Sequence, residues 1–333
     1  MAMMLLLAAP ASGEVRRDTV IRSPSAGSAR ISATAEASRY PVNDGSGTTV
    51  AIAATAACQA ICNAADPQQL ADFLGTLAHG DEMERLTVQL DTPSQIEFDC
   101  GYGAQACYYG GENKIFLNGD GSAAPDGASR EFVLAHEYGH HIARHRETPP
   151  PFPVALDWGT ARWSSYENVC RRSRAGALFP GNEGLHYFRD PGEAFAESYA
   201  HMRFPDAEVP WRWVRSLEPD AGAFAAIRED ALRPWPGRRT LQLRGRVPPR
   251  HGGAAVRAFE TPLDGLVSLR PAGRSRYSLS LLNPAGHVLR SSRHGLSFRH
   301  RLNFTVCGQS QLRVALHAAH RRAAAFKLQI QRP

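Results

Sequence analysis

The stretch VLAHEYGHHIARH (Val133–His145) concentrates groups that can bind a metal ion, since it contains four histidines and a glutamate. His136 and His140 are four residues apart, so on a helix they lie on one face and their imidazoles can converge on one ion. Glu137 is rotated by about 100° around the helix axis, from where it can reach a water on that ion. This spacing is that of the H-E-x-x-H zinc motif. A histidine-rich amphipathic helix is the alternative interpretation.

A catalytic zinc ion usually takes three protein ligands and leaves one position for water, so a third ligand is expected from elsewhere in the chain. The extended H-E-x-x-H-x-x-G-x-x-H pattern is excluded, because Ala143 and Arg146 occupy its last two defined positions. The segment GEAFAES instead supplies Glu193 and Glu197, one helical turn apart. Two carboxylates among apolar neighbours are costly to bury unless a cation compensates them. The alternative is an exposed pair on an ordinary helix.

The H-E-x-x-H motif followed some tens of residues later by E-x-x-x-E resembles the gluzincin group of zinc metallopeptidases, over residues 67–204. The resemblance implies a zincin-like α+β catalytic domain that binds Zn²⁺ through His136, His140 and Glu193. It further implies that Glu197 holds one ligating histidine by a hydrogen bond. The reverse assignment of the two glutamates is the alternative.

Hydrolysis of peptide bonds is the activity that the resemblance implies. Zinc lowers the pKa of a bound water towards about 7, and Glu137 is expected to act as the general base that takes its proton and delivers it to the leaving amine. Tyr187, six residues before Glu193, is the expected donor to the tetrahedral oxyanion, with simple aromatic packing as the alternative. The group also lays an extended peptide against an edge strand before the motif helix, and NKIFLNG (Asn113–Gly119) is the candidate for that strand.

Capping residues and hydrophobic periodicity predict the elements that carry these residues. Ser129 is expected to begin the motif helix, and Asp66 with Pro67 forms a pair of N-cap and first helical residue. Helices are predicted over residues 49–65, 67–80, 160–179 and 190–204. Gly80 is expected to end the second of these helices. Alternating apolar and polar residues predict strands at 85–90, 94–100 and 113–119, with a turn at Thr92–Pro93.

Three other residues of the motif helix have structural interpretations. Gly139 costs about 1 kcal/mol in a helix interior relative to Ala, which indicates that a neighbouring element approaches the helix closely there. His141 points away from the metal-binding face and is expected at the surface, with a supporting role next to the metal ligands as the alternative. His145 lies near the helix C-terminus, where a basic side chain suits the helix dipole.

Positive charge is concentrated at the C-terminal end of the chain. From Trp235 onward, 17 Arg and one Lys stand against two acidic residues, a formal charge of about +16, while the whole chain carries +6. This asymmetry and the linker PWPGRR (residues 234–239) predict a zinc peptidase domain at 49–233 and a separate domain at 240–333. Short alternating segments in the second domain predict an all-β sandwich of about seven strands.

The segments YSLSLLNPAGHVLRSS and LNFTVCGQSQLRVAL give this second domain a resemblance to the bacterial pre-peptidase C-terminal domain, a β-sandwich attached to secreted peptidases. Its charge is expected to attract polyanions, with an affinity that falls as salt rises. An anionic cell-wall or extracellular polymer is therefore the expected partner, and nucleic acid is not expected. An arginine-biased, solvated surface is the alternative.

The N-terminus and the cysteines predict export. Residues 1–13 (MAMMLLLAAPASG) have the apolar run and small residues of a secretory signal, and residues 14–48 are predicted to be a disordered linker or pro-segment. No later apolar run is long enough to predict a membrane-spanning helix. The six cysteines favour disulfides in an exported protein, with Cys100 and Cys107 as the best pair.

The sequence therefore predicts a secreted zinc metallopeptidase in which zinc activates a water and Glu137 is the general base. Two alternatives belong to other classes. One is a metal-dependent amidase that acts on cell-wall peptide, and the other is a non-catalytic secreted binding protein with a structural zinc. The presence of Glu137 argues against the second, because a structural site does not need a general base.

Overall fold

A computed structural model of the chain describes residues 15–18, 36–62, 66–120, 127–152, 154–182, 184–249, 253–271, 277–292, 301–308, 311–318 and 322–333. The predicted signal segment, residues 1–13, lies outside the described residues. The described chain forms an α+β N-terminal region (residues 15–233) and an all-β C-terminal region (residues 239–333). This order of an α+β part before an all-β part confirms the predicted fold class at that level.

A six-stranded mixed sheet is the framework of the N-terminal region. Its strands are β1 (Val15–Asp18), β2 (Ser38–Pro41), β3 (Thr49–Ala54), β4 (Thr87–Asp91), β5 (Ala106–Tyr109) and β6 (Lys114–Asn118). They lie in the order β1-β5-β6-β4-β3-β2, with β3, β4 and β6 parallel and the other neighbours antiparallel. Val88, Leu90, Ile115 and Leu117 alternate along β4 and β6 and belong to the core shared with the helices.

Nine described helices pack around this sheet. They are α1 (Ala56–Ile61), α2 (Pro67–Gly75), α3 (Pro93–Cys100), α4 (Arg130–Arg144), α5 (Ala155–Trp158), α6 (Ala161–Tyr166), α7 (Val169–Arg174), α8 (Pro191–Arg203) and α9 (Ala221–Leu232). The predicted N-caps are confirmed, since Ser129 accepts a hydrogen bond from Phe132 N and Asp66 accepts one from Gln68 N. None of the described helices is long and apolar enough to cross a membrane.

Two segments adopt a different type of element from the predicted one. Residues 94–100, predicted as a strand, lie in α3, because Thr92 accepts a hydrogen bond from Gln95 N and Pro93 occupies the first helical position. Residues 49–54, predicted as helical, form the buried strand β3. A short apolar run that is buried on both sides carries no periodicity that separates strand from helix, and neighbouring strands decide in favour of β3.

Two helix boundaries also differ from the predicted ones. α2 ends at Gly75 rather than at Gly80, and Gly80 instead precedes a short 3₁₀ helix (Asp81–Arg85). The predicted helix over 160–179 is divided into α6 and α7, because Asn168 adopts a left-handed conformation with φ of 54°.

The strand predicted to receive a substrate is not an edge strand. β6 lies between β5 and β4 and forms backbone hydrogen bonds with both, so no peptide can add to it. The edges are β1 and β2, which come from residues 14–48. The prediction of disorder is therefore wrong for the residues of these two strands.

α4 and α8 pack closely against each other at Gly139. A methyl group at Gly139 would lie 2.9 Å from Ala196 Cα and 3.2 Å from both Ala196 O and Tyr199 Cβ. The prediction that an element approaches Gly139 is thereby confirmed, and that element is α8. Residues 132–143 of α4 are all buried, because the sheet covers one side of the helix and α8 covers the other.

Two four-stranded antiparallel sheets form the C-terminal region. Its strands are β7 (Arg239–Val247), β8 (Ala255–Glu260), β9 (Gly265–Pro271), β10 (Tyr277–Leu282), β11 (Val288–Ser291), β12 (Leu302–Val306), β13 (Gln311–Ala318) and β14 (Ala324–Arg332). The strand orders are β11-β10-β13-β8 and β12-β9-β14-β7. Leu279 and Leu316 of the first sheet share one apolar core with Leu269 and Ile330 of the second. These are eight described strands, against the predicted seven.

Three disulfides cross-link the chain. Cys100–Cys107 is the predicted pair and is confirmed, and Cys58 pairs with Cys62. Cys170–Cys307 connects α7 of the N-terminal region to the end of β12, across a sequence separation of 137.

Two hydrogen bonds link the C-terminal region to the N-terminal region. Leu266 N donates to Pro150 O at 2.6 Å, and Asp264 N donates to Ser165 Oγ at 2.9 Å. The Asp264 carboxylate is buried, which raises its pKa to about 6 although it accepts a hydrogen bond from Gly308 N. The regions are therefore joined by a polar contact as well as by the Cys170–Cys307 bridge.

Substitution of Gly139 by alanine tests the close approach of the two helices. Helix propensity alone favours Gly139→Ala by about 1 kcal/mol, but the new methyl group meets the α8 backbone. We therefore expect a loss of about 1–3 kcal/mol in the free energy of unfolding, measured by chemical denaturation. Gly184→Ala is the matched control, since its methyl group meets only Asn182 Oδ1, at 3.8 Å. Equal stability of the two variants would contradict the contact.

Candidate metal centre

Three buried side-chain atoms converge at the crossing of α4 and α8. His136 Nε2 lies 3.2 Å from His140 Nε2, and Glu193 Oε2 lies 3.7 Å and 3.6 Å from these two atoms. The three side chains are at most 1% exposed. In the described part of the chain they are the one group of His, Cys, Asp and Glu side chains arranged to hold a metal ion. The predicted convergence of His136, His140 and Glu193 is therefore observed.

The spacing and the chemistry of these atoms fit a metal ion. A tetrahedral ion with bonds of about 2.0–2.2 Å separates its ligand atoms by about 3.3–3.6 Å, close to the separations that are observed. Two imidazole nitrogens and a carboxylate oxygen suit zinc and its first-row neighbours, whereas calcium and magnesium prefer oxygen ligands only. A cation at their centre also offsets the cost of burying the Glu193 carboxylate.

Local sequence explains why each ligand stands where it does. His136 and His140 lie on one face of α4, and Gly139 between them lets α8 come close. Glu193 lies in the first turn of α8, where the positive end of the helix dipole favours a carboxylate. That turn is fixed by Asp190, which accepts hydrogen bonds from Gly192 N at 2.9 Å and Gly181 N at 3.2 Å.

Glu197 lies behind His136, on the side away from the converging atoms. Its Oε2 is 2.8 Å from His136 Nδ1, and its Oε1 is 3.6 Å from His201 Nε2. Burial alone would raise the pKa of Glu197, but hydrogen bonds from the two histidines hold it below the ordinary value. A carboxylate there keeps the proton of His136 on Nδ1 and leaves the Nε2 lone pair for a metal ion. This arrangement favours Glu193 as the metal ligand and Glu197 as the residue that orients His136.

The predicted general base lies inside the protein. Glu137 is fully buried on α4, directly after His136. Its neighbours in sequence are thus a ligand on one side and the buried Tyr138 on the other. The motif therefore keeps the glutamate within one residue of the metal-binding face, in surroundings from which bulk water is excluded.

The Tyr187 hydroxyl touches the candidate metal centre. It donates to Glu193 Oε2 at 3.0 Å, from a short 3₁₀ helix (Tyr187–Arg189) that precedes α8. The ring is partly buried and its centroid lies 6.3 Å from that of Trp213. The predicted position of Tyr187 beside the site is observed, and its role in catalysis stays a prediction.

Two tryptophans and one histidine near the centre were not predicted from the sequence. The Trp213 ring centroid is 5.9 Å from that of His136, and Trp211 packs on Trp213 at 5.6 Å. Both belong to an irregular segment without a motif, so the sequence carries no signal for them. His201 is different: it continues the four-residue spacing of Glu193 and Glu197 on α8, and that periodicity could have identified it.

His141 is buried, so its predicted surface position is wrong. Its Nε2 lies 2.8 Å from Glu82 O and its Nδ1 lies 3.0 Å from Tyr108 Oη. Burial lowers the pKa of His141 to about 3, so the ring is neutral. Nε2–H then donates to the carbonyl, and Nδ1 accepts from the tyrosine. The prediction failed because α4 is enclosed by the sheet as well as by α8.

The side of α4 that faces away from the ligands is held by a buried ion pair. Arg146 Nη2 lies 2.8 Å from Glu82 Oε2, and Tyr138 donates to Glu82 Oε1 at 2.9 Å. Arg146 also donates to the carbonyl oxygens of Asp230 and Ala231 in α9, at 2.9 Å and 2.6 Å. Burial would raise the pKa of Glu82, but the charge of Arg146 lowers it, so the carboxylate stays ionised.

The prediction that His145 suits the helix dipole as a basic side chain is wrong. Its Nε2 lies 2.8 Å from Asn113 Oδ1, and burial lowers its pKa to about 4. The ring is therefore neutral at pH 7, and Arg144 supplies the positive charge in the last turn of α4.

Comparison with known proteins gives no relative: no protein-family model matches the chain, and no curated protein matches it. The function therefore has to be inferred from these residues and their geometry.

A zinc titration of two glutamate variants tests the assignment of ligand and support. Glu193→Ala removes one of three ligand atoms and is expected to abolish stoichiometric binding. Glu197→Ala leaves the ligands in place and is expected to weaken binding about 10–100-fold, measured by calorimetry on metal-free protein. Glu131→Ala, in the first turn of α4 and outside the site, is the control. A larger loss for Glu197→Ala than for Glu193→Ala would reverse the assignment.

The fluorescence of Trp213 should report directly on occupation of the centre. Because its ring lies beside His136, Co²⁺ bound there is expected to quench its emission by energy transfer. Trp213→Phe should remove most of the quenching, whereas Trp235→Phe, in the segment between the two regions, should retain it. Quenching that survives when Trp211 and Trp213 are both replaced by Phe would place the ion elsewhere, since Trp211 packs on Trp213.

Proposed function

We propose that the protein is a secreted zinc-dependent metallopeptidase. The observation that carries the proposal is the group His136, His140 and Glu193, with their ligand atoms 3.2–3.7 Å apart and buried. The Glu137 carboxylate on the same helix can act as a general base, which hydrolysis requires and metal storage does not. The zincin-like character of the N-terminal region and the likeness of the C-terminal region to a pre-peptidase C-terminal domain belong to the same proposal.

The number of ligands supports a catalytic rather than a structural ion. Structural zinc sites are closed by four protein ligands, and catalytic ones keep one position open. In the described part of the chain the group has three members. When bound there, zinc supplies Lewis acidity that lowers the pKa of water and polarises a carbonyl group.

Glu137 would move the proton in the reaction. It accepts a proton from the attacking water and returns that proton to the nitrogen of the departing amine. Its burial keeps bulk water away from this exchange. Its place directly after His136 holds the carboxylate near the ligand face, while its rotation around α4 keeps it out of the ligand group.

Tyr187 would donate a hydrogen bond to the substrate. Its hydroxyl lies 3.0 Å from Glu193 Oε2, so it can reach an oxygen that approaches the centre beside this ligand. A donor aimed at the tetrahedral oxyanion stabilises the charge that develops during hydrolysis. Glu197 and His201 would hold His136 in the orientation that presents Nε2.

Export is supported by the three disulfides. Disulfides persist in oxidising compartments and are rare in the cytosol, and all six cysteines of the chain are paired. Residues 1–13 would act as the signal segment, and residues 14–48 as a linker or pro-segment.

The decisive variant is Glu137→Gln, which keeps the shape of the side chain but removes the base. We expect zinc content to stay at the wild-type value and hydrolysis of a broad peptide library to fall by about 10²–10⁴-fold. The measurements are metal analysis and peptide turnover by mass spectrometry. Full activity in this variant would remove Glu137 from the mechanism.

Assays on different amide substrates test the substrate class. Chelator-sensitive cleavage of ordinary peptides supports the peptidase. Cleavage confined to cell-wall peptide fragments would instead assign an amidase. A wild-type protein that binds zinc but hydrolyses neither would be a binding protein with a structural ion.

A further inference from the structure

One sheet of the C-terminal region has an outer face rich in positive charge. The sheet β12-β9-β14-β7 turns Leu328 and Ile330 into the core, so the alternate residues of β14 and of its neighbours point outward. The outward cations are Arg244 and Arg246 of β7, Lys327 of β14 and Arg270 of β9, and all four are exposed. We call these four residues the basic face.

The strand register brings the basic face together. Arg244 lies directly opposite Lys327, and Gln329, two residues further along β14, lies opposite Arg270. Neighbouring strands are about 4.8 Å apart and alternate residues of one strand are about 6.8 Å apart. The four cations are therefore within reach of consecutive charged groups on one extended ligand.

The pairing of Arg244 with Lys327 costs stability, because like charges directly opposite each other on a sheet repel. Among the described residues, no ion pair involves Arg244, Arg246 or Lys327. Their repulsion is therefore not offset by a neighbouring carboxylate. An anionic ligand would offset it.

Biased use of arginine does not explain this face by itself, because the outer face of the other sheet is different. There, Ala258 lies opposite Arg313, and Ala315 lies opposite Val256 and Ser280. Small neutral side chains thus dominate the second face. Among the outward residues of β8, β10 and β13, arginine occurs only at Arg313, whereas a uniform bias would place arginine equally on both faces.

A cavity of about 290 Å³ lies at the other edge of the same sheet. The described residues of its lining are Arg290, Ser291, Ser292, Arg301, Leu302 and Asn303. Guanidinium and hydroxyl groups together donate the hydrogen bonds that a tetrahedral oxyanion accepts. Asn303 also accepts a hydrogen bond from Ser268 Oγ of β9 at 2.8 Å, so the cavity adjoins the sheet that carries the basic face.

We propose that the basic face and this cavity form a binding surface for a linear extracellular polymer that carries repeated sulfate or phosphate groups. Nucleic acid fits less well. Proteins that bind single strands offer aromatic side chains for base stacking, and no described residue of the basic face or the cavity lining is aromatic. The region is also all-β in its described part and has no helix to enter a major groove. The proposal does not depend on the metal centre.

The test compares two triple variants of the full-length protein that remove equal charge. Arg244→Gln, Arg246→Gln and Lys327→Gln change the basic face. Arg228→Gln, Arg313→Gln and Arg322→Gln are the matched control at exposed positions elsewhere. Binding to a heparin oligosaccharide and to inorganic polyphosphate is measured over a salt series by calorimetry, with thermal unfolding as the check on folding.

We expect the basic-face variant to bind about tenfold or more weakly at low salt, with a salt dependence reduced by about two to three charges, and the control to stay within about twofold. Preference between heparin and polyphosphate then distinguishes a sulfated from a phosphorylated polymer. Equal losses in both variants would show diffuse attraction and overturn the assigned surface. Tighter binding of duplex DNA than of either polymer, lost in the basic-face variant, would overturn the assigned ligand.

Discussion

The close contact between α4 and α8 determines the geometry on which the rest of the site depends. At the crossing, Gly139 meets Ala196, and a single methyl group on the glycine would be too large. His136 and His140 lie three residues before and one residue after Gly139, and Glu193 and Glu197 stand in the same relation to Ala196. Two helices with matching offsets from one contact point thus bring four functional side chains together. A wider crossing would separate the histidines from the glutamates.

Around this crossing, three buried ionisable groups have partners that hold them in place. Glu197 is held by His136 and His201, and Glu82 by Arg146 on the other side of α4. His141 remains neutral between a carbonyl and a hydroxyl. Because these partners come from different elements, they fix the rotation of α4 about its axis. The orientation of the ligands is therefore set from behind as well as from the side of α8.

The residues of the candidate metal centre can be predicted from the sequence, because those on each helix are related by short helical spacing. His136, Glu137 and His140 are linked by helical spacing, as are Glu193 and Glu197, and buried charge of that kind has few explanations. The position of β6 inside the sheet could not be predicted, because it depends on pairing with β5, a strand that was not predicted from the sequence. The error over His141 has the same origin, since burial of a side chain depends on elements far away in sequence. The alternation of apolar residues in 94–100 predicts a strand, but Thr92 and Pro93 start a helix there, so the helix start outweighs the alternation.

The Cys170–Cys307 bridge has a consequence for how the two regions can part. The segment 234–239 that joins them in sequence is short, and cleavage there would break the backbone continuity. The two fragments would nevertheless remain covalently linked, since the bridge connects α7 to the end of β12 on either side of the cut. Separation of the two regions thus requires two events, a proteolytic cut and a reduction of the bridge. In an oxidising environment a nicked molecule would remain one covalent particle.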